Sequence, residues 1–556
     1  MLSQAKSFLK ALPLAKRVNA AFKVWRIGGL PDFASPEAVN TWLVRRSRTA
    51  PPSIPYADDV ADHRRVAAQL IDLHTTAPLT RPEMVGRRIL VLGLHNPTWV
   101  WWSLPVAVAY AGRGAVVDYA WAQFPDYRGE MPGNEYIPGA TSVADAALAV
   151  HPNLRFIPFV QVPPADISAA DHAAAAKCAR FDVCHLTLRE TVHPETIPAD
   201  AELIATRTAR NVEAAKRFNR LLDEGDYDWV VIPNGSVYEY GTCLEMAKAR
   251  GVGCGSYDCN DRRQSVFIGL NLPCVALDAT EFWNADAPHV LHDERRARVA
   301  NWMMQRELPG WNERGNAVWQ GQPTHVAPVP ELLSQLALDP AKPTALLCTN
   351  LAWDTTVLGQ NRTFASMIEW ILATVGWFAD RPDKQLVVRV HPVEKVVPTN
   401  EPVVPIVRAK FPDLPPNVRL IDGGDAVNTY GLMRLAHCGL VYTSTTGLEL
   451  AMRAVPTVVV GKTHYAGRGY TIEPPDPASY FAALETLLAP AEPTRLPDEQ
   501  VSLAMCYSDV FFRNMLRPFP WGLRAGEEFP MAKVIAGECP PEYLDSLDRL
   551  AGLPTP

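Results

Sequence analysis

Residues 439–449 read GLVYTSTTGLE and combine a short apolar run, a polar turn and the start of a helix. The run 439–443 is typical of a buried parallel strand, and residues 446–453 predict a helix. Four consecutive hydroxyl side chains, at 443–446, stand at the junction of the two and are followed by Gly447. A strand that turns directly into a helix is the repeating unit of parallel α/β sheets. The stretch therefore predicts an α/β fold in this part of the chain.

The same alternation continues on both sides of residues 305–340, a stretch rich in Pro, Gly, Asn and Gln that we predict to be a linker. Helical segments are clearest at 200–224, 239–250 and 363–378. Apolar runs typical of strands lie at 88–93, 115–118, 155–160, 229–235, 344–350, 385–392, 418–421 and 457–461. The expected fold class is therefore α/β, with two Rossmann-like domains facing a central cleft.

This pattern divides the chain into four segments. They are a helical N-terminal extension at 1–80, an N-terminal Rossmann-like domain at 81–335, a C-terminal Rossmann-like domain at 336–490 and a helical tail at 491–556. Twin-domain proteins of this kind bind ligands in the cleft, at the carboxyl ends of the strands. The candidate functional residues are therefore those in the turns that follow the strands.

The composition limits the classes of function. Hydrophobic residues make up 48% and charged residues 20% of the 556 residues, and the net charge is -7. This balance argues against nucleic acid as a partner, because nucleic-acid binding needs a basic surface. No run of about 18 apolar residues predicts a membrane span. The ten cysteines form no CxxC pair and predict buried thiols in a reducing, cytoplasmic compartment.

Residues 1–27 differ in character from the rest of the chain. Basic side chains are interleaved with leucines and aromatic residues, and no acidic residue precedes Asp32. Such a segment could lie on an anionic membrane surface, which would make the protein peripheral on the inner face of the cell membrane. It could equally be a helix that packs on its own domain with its lysines outward.

Two turns carry residue types that bind phosphate. In the segment 389–394 (RVHPVE), a proline ends a strand and leaves His391 at the strand tip, where its ring can donate a hydrogen bond to a phosphate oxygen. In the second turn, Ser444, Thr445 and Thr446 precede a helix whose free amides form an anion cradle with the hydroxyl groups. Simple N-capping by one hydroxyl is the alternative for this second turn.

The residues around these turns extend the candidate site. Gly447 and Glu449 begin the helix after the cradle, and Glu449 either reaches a ribose hydroxyl or complements the helix dipole. The loop 461–470 follows another strand and contains three glycines, which suits a contact with a diphosphate or an acidic sugar, or a flexible solvated loop. Its cations are Lys462, His464 and Arg468.

Together these segments resemble the bacterial capsular-polysaccharide biosynthesis family, which includes the β-Kdo transferases of capsule assembly. The resemblance covers roughly residues 340–475 and rests on 349–354 (TNLAWD), 389–394 and 443–470. It implies a GT-B fold in which the C-terminal domain binds a nucleotide sugar. It further implies that His391 and the hydroxyls of 444–446 bind the donor phosphate and that Glu449 binds the ribose.

The resemblance has two further implications for the site. We expect Arg389 and Glu394, in the same segment as His391, to contact the donor. No metal and no other cofactor is implied, because protein cations and helix dipoles neutralise the leaving group and the nucleotide sugar is itself the substrate.

The N-terminal half offers less specific candidates. Glu239 begins a helix directly after a strand and could act as a general base for an acceptor hydroxyl, or it could be an ordinary first-turn glutamate. Asp258 and Asp261 are further candidates for a base.

Three functions fit this sequence, and we predict the first. It is a glycosyltransferase that moves a sugar from a nucleotide-sugar donor to a glycan or lipid-linked acceptor, with a CMP-linked acidic sugar suggested by the resemblance. The second is an enzyme like the UDP-sugar 2-epimerases, which needs several acid/base carboxylates in the N-terminal cleft. The third is a non-catalytic glycan-binding protein of envelope assembly.

Overall fold

The structure is a computed structural model that describes residues 81–94, 97–121, 152–259, 265–307, 326–395, 399–519 and 541–554. The predicted extension at 1–80, with its amphipathic segment 1–27, lies outside the described residues, and so do residues 308–325 of the predicted linker. Within the described ranges, no helix is long and apolar enough to cross a membrane.

The strands of the described ranges form two sheets, each with a Rossmann arrangement. The strands are β1 (Arg88–Gly93), β2 (Val116–Trp121), β3 (Leu154–Pro158), β4 (Trp229–Pro233), β5 (Gly253–Cys259), β6 (Ser265–Leu270), β7 (Thr344–Cys348), β8 (Gln385–Arg389), β9 (Val418–Ile421), β10 (Cys438–Val441), β11 (Thr457–Val459) and β12 (Arg517–Pro518). The first sheet has the order β12-β6-β5-β4-β1-β2-β3, and the second has the order β11-β10-β7-β8-β9.

The order of the parallel strands is the same in both sheets. If the strands β1 to β5, and likewise β7 to β11, are numbered 1 to 5 in chain order, their spatial order in the sheet is 3-2-1-4-5. Every neighbouring pair within these two sets is parallel. This is the order of a doubly wound Rossmann sheet. The predicted fold class, α/β with two Rossmann-like domains, is therefore confirmed. At the edge of the first sheet, β6 and β12 are antiparallel additions that were not predicted.

Helices connect these strands and close the structure. They are α1 (Pro97–Gly112), α2 (Ala169–Thr187), α3 (Pro198–Gly225), α4 (Tyr238–Ala249), α5 (Thr280–Ala285), α6 (Asp293–Glu307), α7 (Val329–Gln335), α8 (Met367–Ala379), α9 (Val403–Lys410), α10 (Thr429–Leu435), α11 (Thr446–Met452), α12 (Pro477–Leu487), α13 (Asp498–Met515) and α14 (Pro541–Leu550). Strands β7 and β8 are buried along their whole length, as parallel strands covered on both faces are. The eight cysteines that the structure describes are free and buried.

The C-terminal segment, predicted as a helical tail at 491–556, contacts both domains in the ranges that the structure describes. Helix α13 packs against α6 and α11, and the chain then adds β12 to the first sheet. Helix α14 follows on the same sheet, where Trp229 Nε1 donates to the Leu550 carbonyl at 2.8 Å and Arg113 pairs with Asp548 at 2.6 Å. The end of the described chain therefore belongs structurally to the N-terminal domain.

A second connection between the domains lies at the C-terminal end of α2. The carboxylate of Glu190 accepts the amides of Met367 at 2.6 Å and Ile368 at 3.3 Å, which are the first residues of α8. Nearby, Asn400 Nδ2 donates to the Thr187 carbonyl at 2.6 Å. A residue of the N-terminal domain thus satisfies amides at the start of a helix in the C-terminal domain. This contact fixes the two domains relative to each other on one side of the cleft.

Burial of the Glu190 carboxyl group makes the stability of the protein depend on pH. Burial raises the pKa of Glu190 to about 7, whereas a glutamate in the unfolded chain titrates near about 4.3. The folded protein therefore holds this proton more tightly, and the stabilisation is complete below about pH 4 and is lost as the pH rises through about 7. Glu190→Gln imitates the protonated group. We expect its free energy of unfolding, relative to that of the wild type, to rise by on the order of 2 kcal/mol between about pH 4.5 and pH 8.

The measurement is chemical unfolding of both proteins over this pH range. The control is Glu213→Gln, which changes an exposed glutamate on α3 and should give a difference that does not vary with pH in this way. A pH-independent difference for Glu190→Gln would contradict the prediction.

Candidate active site

The candidate site lies where the order of the second sheet reverses, between β7 and β10. At such a switch point, loops from the two strands diverge and leave a crevice at the carboxyl edge of the sheet. A pocket of about 50 Å³ opens there, and we call it the switch-point pocket. It is lined by Arg306, Cys348, Thr349, Arg389, Val390, His391, Pro392, Thr429, Tyr430, Thr446 and Glu449. Three turns singled out in the sequence therefore meet in one place.

The hydrogen bonds of His391 determine which ring nitrogen carries the proton. Its Nδ1 accepts the amide of Val393 at 3.2 Å, so the proton of the neutral imidazole is on Nε2. The backbone amide of His391 donates to Thr349 Oγ1 at 3.0 Å, which joins the ends of β7 and β8. The residue is half-buried and lines the pocket. His391 can therefore supply an Nε2–H donor to an anionic ligand.

Arg389 supplies a cation in the wall of the same pocket. Its side chain is buried, with Nη1 donating to the Asp422 carbonyl at 2.5 Å and Nε donating to Thr429 Oγ1 at 3.4 Å. Within the described part of the chain, Nη2 has no hydrogen-bond partner. Arg389 thus has an N–H group that is available to bind a ligand, at a position that fits the predicted contact with the nucleotide sugar.

Glu394 has a structural role instead of the predicted contact with the donor. Its Oε1 accepts the amide of Val403 at 2.9 Å, at the first residue of α9. Burial raises the pKa of Glu394 to about 7. Glu394 lies in the 3-10 turn Pro392–Lys395 and does not line the switch-point pocket, because its carboxylate contacts the start of α9. We therefore withdraw Glu394 from the candidate site.

The hydroxyl turn is largely occupied by its own hydrogen bonds. Ser444 Oγ accepts the amide of Thr446 at 3.2 Å and donates to Thr446 Oγ1 at 2.9 Å. The amides of Gly447 and Glu449 donate to the carbonyls of Ser444 and Thr445 at 3.0 and 3.2 Å. A local hydrogen bond to the amide two residues on therefore explains Ser444, and Thr445, the N-cap residue, makes no side-chain cap bond. Of the three predicted hydroxyl residues, Thr446 is the one that lines the switch-point pocket.

Gly447 is required by close packing at this turn. A Cβ atom there would lie 2.3 Å from the hydroxyl of Tyr465 and 2.8 Å from Cγ2 of Val441. The Tyr465 hydroxyl donates to the Ser444 carbonyl at 2.6 Å and so holds the turn in place. Gly447 thus shapes the turn.

Glu449 lines the pocket, and its partner is a residue that the sequence did not mark. Its carboxylate pairs with Arg306 at 2.5 Å, and both side chains are largely buried. Arg306 stands at the end of α6, where the next residue, Glu307, pairs with Arg453 at 2.7 Å and Arg434 at 3.1 Å. The end of α6 therefore closes one side of the switch-point pocket. Contact of Glu449 with a ribose would require this ion pair to open or to share the carboxylate.

A larger pocket, of about 330 Å³, lies between the domains, and we call it the interdomain pocket. The N-terminal domain contributes residues from 272–280, and the C-terminal domain contributes residues from 356–360 and 462–468 together with Thr443. Thr443 is three residues before Thr446, which lines the switch-point pocket, so residues of one turn line both pockets. Thr443 Oγ1 and His464 Nε2 are buried without a hydrogen-bond partner in the described part of the chain. These atoms leave hydrogen-bonding capacity for a polar ligand.

The three predicted cations of the loop 461–470 all line this pocket, and two of them carry a positive charge. Lys462 is exposed, and Arg468 Nη2 donates to Thr280 Oγ1 at 2.8 Å across the domain boundary. His464 also lines the pocket, but it is neutral, because burial lowers its pKa to about 3, with Arg468 adding to the effect. Its ring stacks on Phe511 with centroids 4.1 Å apart. The prediction of His464 as a cation is therefore wrong.

Glu239, predicted as a possible base, is buried away from both pockets. It accepts a hydrogen bond from Arg207 at 3.0 Å, and the same guanidinium lies 3.2 Å from Asp182. All three side chains have at most 1% of their surface exposed. An acceptor hydroxyl cannot reach a carboxylate that is enclosed by α2, α3 and α4. We therefore withdraw Glu239 as a base and assign it to the packing of these helices.

The two other acidic candidates differ in position. Asp258, near the end of β5, accepts a hydrogen bond from Asn234 Nδ2 at 2.7 Å and lines neither of the two pockets. Asp261 lies outside the described residues. In the described ranges, no group of three or more His, Cys, Asp or Glu side chains could hold a metal ion.

Comparison with known proteins gives no match to any protein-family model and none to any curated protein. Solved structures that are similar include KpsC from Thermosulfurimonas dismutans, described as a beta Kdo 2,4 transferase. It is 14% identical, covering 51% of this chain and 80% of that chain, with a TM-score of 0.31. The predicted resemblance to β-Kdo transferases is thus found again among solved structures.

Two other similar structures belong to different classes of enzyme. The glycosyltransferase SnogD from Streptomyces nogalater is 14% identical, covering 81% of this chain and 99% of that chain, with a TM-score of 0.23. A UDP-GlcNAc 2-epimerase from Neisseria meningitidis is 10% identical, covering 77% of this chain and 100% of that chain, with a TM-score of 0.23. Similarity at this level carries no argument about activity, which must come from the residues of this chain.

Proposed function

We propose that this protein is a glycosyltransferase that binds the phosphate of a nucleotide-sugar donor in the switch-point pocket. The observation that supports this most is that Thr349, His391 and Thr446, from three separate turns, line one pocket at the carboxyl edge of a Rossmann sheet. This edge is where such sheets bind nucleotides. Arg389 adds a buried cation with a free donor atom to the same wall.

In the proposed reaction, negative charge develops on the phosphate as the bond to the sugar breaks. The Nε2–H group of His391 and the free Nη2 of Arg389 donate to the phosphate oxygens and stabilise this charge. A single preorganised donor of this kind contributes about 3 kcal/mol to transition-state stabilisation. Protein donors thus take the role that a metal ion has in other transferases, so metal independence is part of the proposal.

The sugar of the donor would lie in the interdomain pocket, which shares the 443–446 turn with the switch-point pocket. Lys462 and Arg468 give this pocket a positive side, which suits an acidic sugar such as one linked to CMP. The acceptor would be a glycan or a lipid-linked glycan that enters between the domains. Contact of residues 1–27 with an anionic membrane remains a prediction from the sequence.

The epimerase alternative needs several carboxylates that can exchange protons with the sugar. Among the described residues that line the interdomain pocket, Asp278 is the one carboxylate, and Glu449 of the neighbouring pocket is paired with Arg306. This favours transfer over epimerisation. Exchange of the hydrogen on the sugar carbon next to the anomeric centre with solvent would instead indicate an epimerase.

Nucleotide binding can be tested by thermal unfolding in the presence of CMP, CDP, UDP and GDP. A ligand at about 100 times its dissociation constant stabilises the folded state by about 2.7 kcal/mol. We expect at least one of these nucleotides to raise the melting temperature. The matched control is the corresponding nucleoside, such as cytidine for CMP, which lacks the phosphate and should give a much smaller shift. Equal shifts for nucleoside and nucleotide, or no shift with any nucleotide, would contradict the proposed site.

A further inference from the structure

The interdomain pocket contains a carboxylate that the sequence did not mark. Asp278 lies between the 3-10 turn Cys274–Ala276 and α5, on the N-terminal side of the pocket, and it is exposed. Its Oδ1 accepts the amide of Thr280 at 2.9 Å. Within the described ranges, Asp278 forms no ion pair with any basic side chain. It is therefore an available proton acceptor on the face of the pocket opposite the C-terminal cations.

The backbone directs this segment into the pocket. Leu277, directly before Asp278, has a φ of 53° in the left-handed region, which a residue with a side chain adopts only rarely. The turn it makes brings Leu277, Asp278 and Thr280 onto the lining of the pocket. The hydrogen bond from Arg468 to Thr280 then attaches the segment to the C-terminal domain. Asp278 is thus held opposite the loop that carries Lys462 and Arg468.

We propose that Asp278 is the general base that activates the acceptor hydroxyl, an inference that rests on the proposed transferase function. The carboxylate takes the proton of the acceptor hydroxyl while the oxygen of that hydroxyl forms a bond to the anomeric carbon. The bond between that carbon and the phosphate oxygen breaks, and its electron pair leaves with the nucleotide. The protonated Asp278 then releases its proton to solvent. Thr446 lines the pocket proposed to bind the phosphate, and Thr443 of the same turn lines the pocket that contains Asp278.

Of the carboxylates predicted as a base from the sequence, the two that the structure describes do not fit this role. Glu239 is buried in an ion pair with Arg207, and Asp258 is hydrogen-bonded to Asn234 and lines neither pocket. Asp278 combines exposure to the pocket with a position on the domain opposite the phosphate-binding turns. A base must lie on that side, because the acceptor hydroxyl approaches the anomeric carbon from the side away from the phosphate that leaves.

The test measures release of free nucleotide from CMP-Kdo, CMP-sialic acid, UDP-GlcNAc and GDP-mannose, with water as the acceptor. The proteins are the full-length wild type, Asp278→Asn, Asp258→Asn and Glu281→Gln. Asparagine keeps the bond to the Thr280 amide and removes the base. Loss of a general base lowers the rate by about 100-fold or more, so we expect this loss for Asp278→Asn alone. Glu281 is the matched control, since it is an exposed carboxylate three residues away that pairs with Arg549 at 3.0 Å.

A second measurement separates a base from a structural residue. The shift of melting temperature by nucleotide should be the same for Asp278→Asn as for the wild type, because the phosphate contacts are unchanged. Wild-type turnover in Asp278→Asn, or a selective loss in Asp258→Asn, would overturn the role of Asp278 while leaving the proposed function in place. Absence of both nucleotide binding and nucleotide release in the wild type would overturn the proposed function and this inference together.

Discussion

Replacement of His391 by alanine is expected to lower the rate of sugar transfer by about 100- to 1,000-fold, the loss found when one preorganised donor to a developing anion is removed. The expectation follows from the tautomer, because Nδ1 accepts the Val393 amide and leaves Nε2–H as the donor. Stability should change little. The ring is half-buried, and its loss removes the local hydrogen bond from the Val393 amide, which is worth about 1 kcal/mol.

The measurement is steady-state release of nucleotide from the donor, combined with the melting temperature of each protein. The control variant is His172→Ala, which removes an exposed histidine near the start of α2, far along the chain from the site. It should retain wild-type turnover. Wild-type turnover in His391→Ala would refute the role of this histidine, and a large fall in its melting temperature would show that the residue is structural.

Replacement of Arg207 by methionine is expected to lower the free energy of unfolding by about 3–5 kcal/mol, the cost of leaving buried charges unpaired. Arg207 lies between Asp182 and Glu239, and all three side chains are buried. Burial raises the pKa of Asp182, and the charge of Arg207 opposes that rise. Without the guanidinium, two buried carboxyl groups would share one site with no cation between them.

The control for this variant is Arg220→Met on the same helix. Arg220 pairs with Glu224 at 3.2 Å near the surface, and such a pair contributes at most about 1 kcal/mol. Chemical unfolding of both variants gives the comparison. Equal unfolding midpoints for Arg207→Met and the wild type would contradict the structural role of the cluster. We expect Glu239→Gln to lose stability and to keep its turnover. Loss of turnover without loss of stability would instead indicate that Glu239 is a catalytic base.

The sequence predicts the strands that consist of a run of apolar residues. It does not predict β5, and the reason is physical. Residues 253–259 (GCGSYDC) contain two glycines and no apolar run. A Cβ at Gly253 would lie 2.2 Å from the Trp229 ring, and one at Gly255 would lie 2.0 Å from the Leu550 carbonyl. The partners of β5 thus come from distant parts of the chain and fill the space that side chains would take. A local pattern cannot contain this information.

The residues of the candidate site likewise differ in whether local sequence is enough to predict them. His391 and Thr446 could be found because a strand end and the first turn of a helix are local features of sequence. The pairing of Arg306 with Glu449 joins residues far apart in the chain, so the sequence marked only one of the two. His464 was predicted as a cation from its loop, whereas its ring packs on Phe511 of a helix that follows much later. Which polar residues face a pocket is thus decided by tertiary packing.

The binding site itself can be observed in a crystal structure of the protein with the nucleotide that gives the largest thermal shift. We expect a phosphate oxygen within about 2.7–3.1 Å of His391 Nε2, the usual distance for a donor to an oxyanion, with a second phosphate contact from Arg389 or Thr446. We also expect the Arg306–Glu449 pair to rearrange if the ribose contacts Glu449. Nucleotide bound at the first sheet, or bound in the second with its phosphate away from His391, would contradict the proposed donor site.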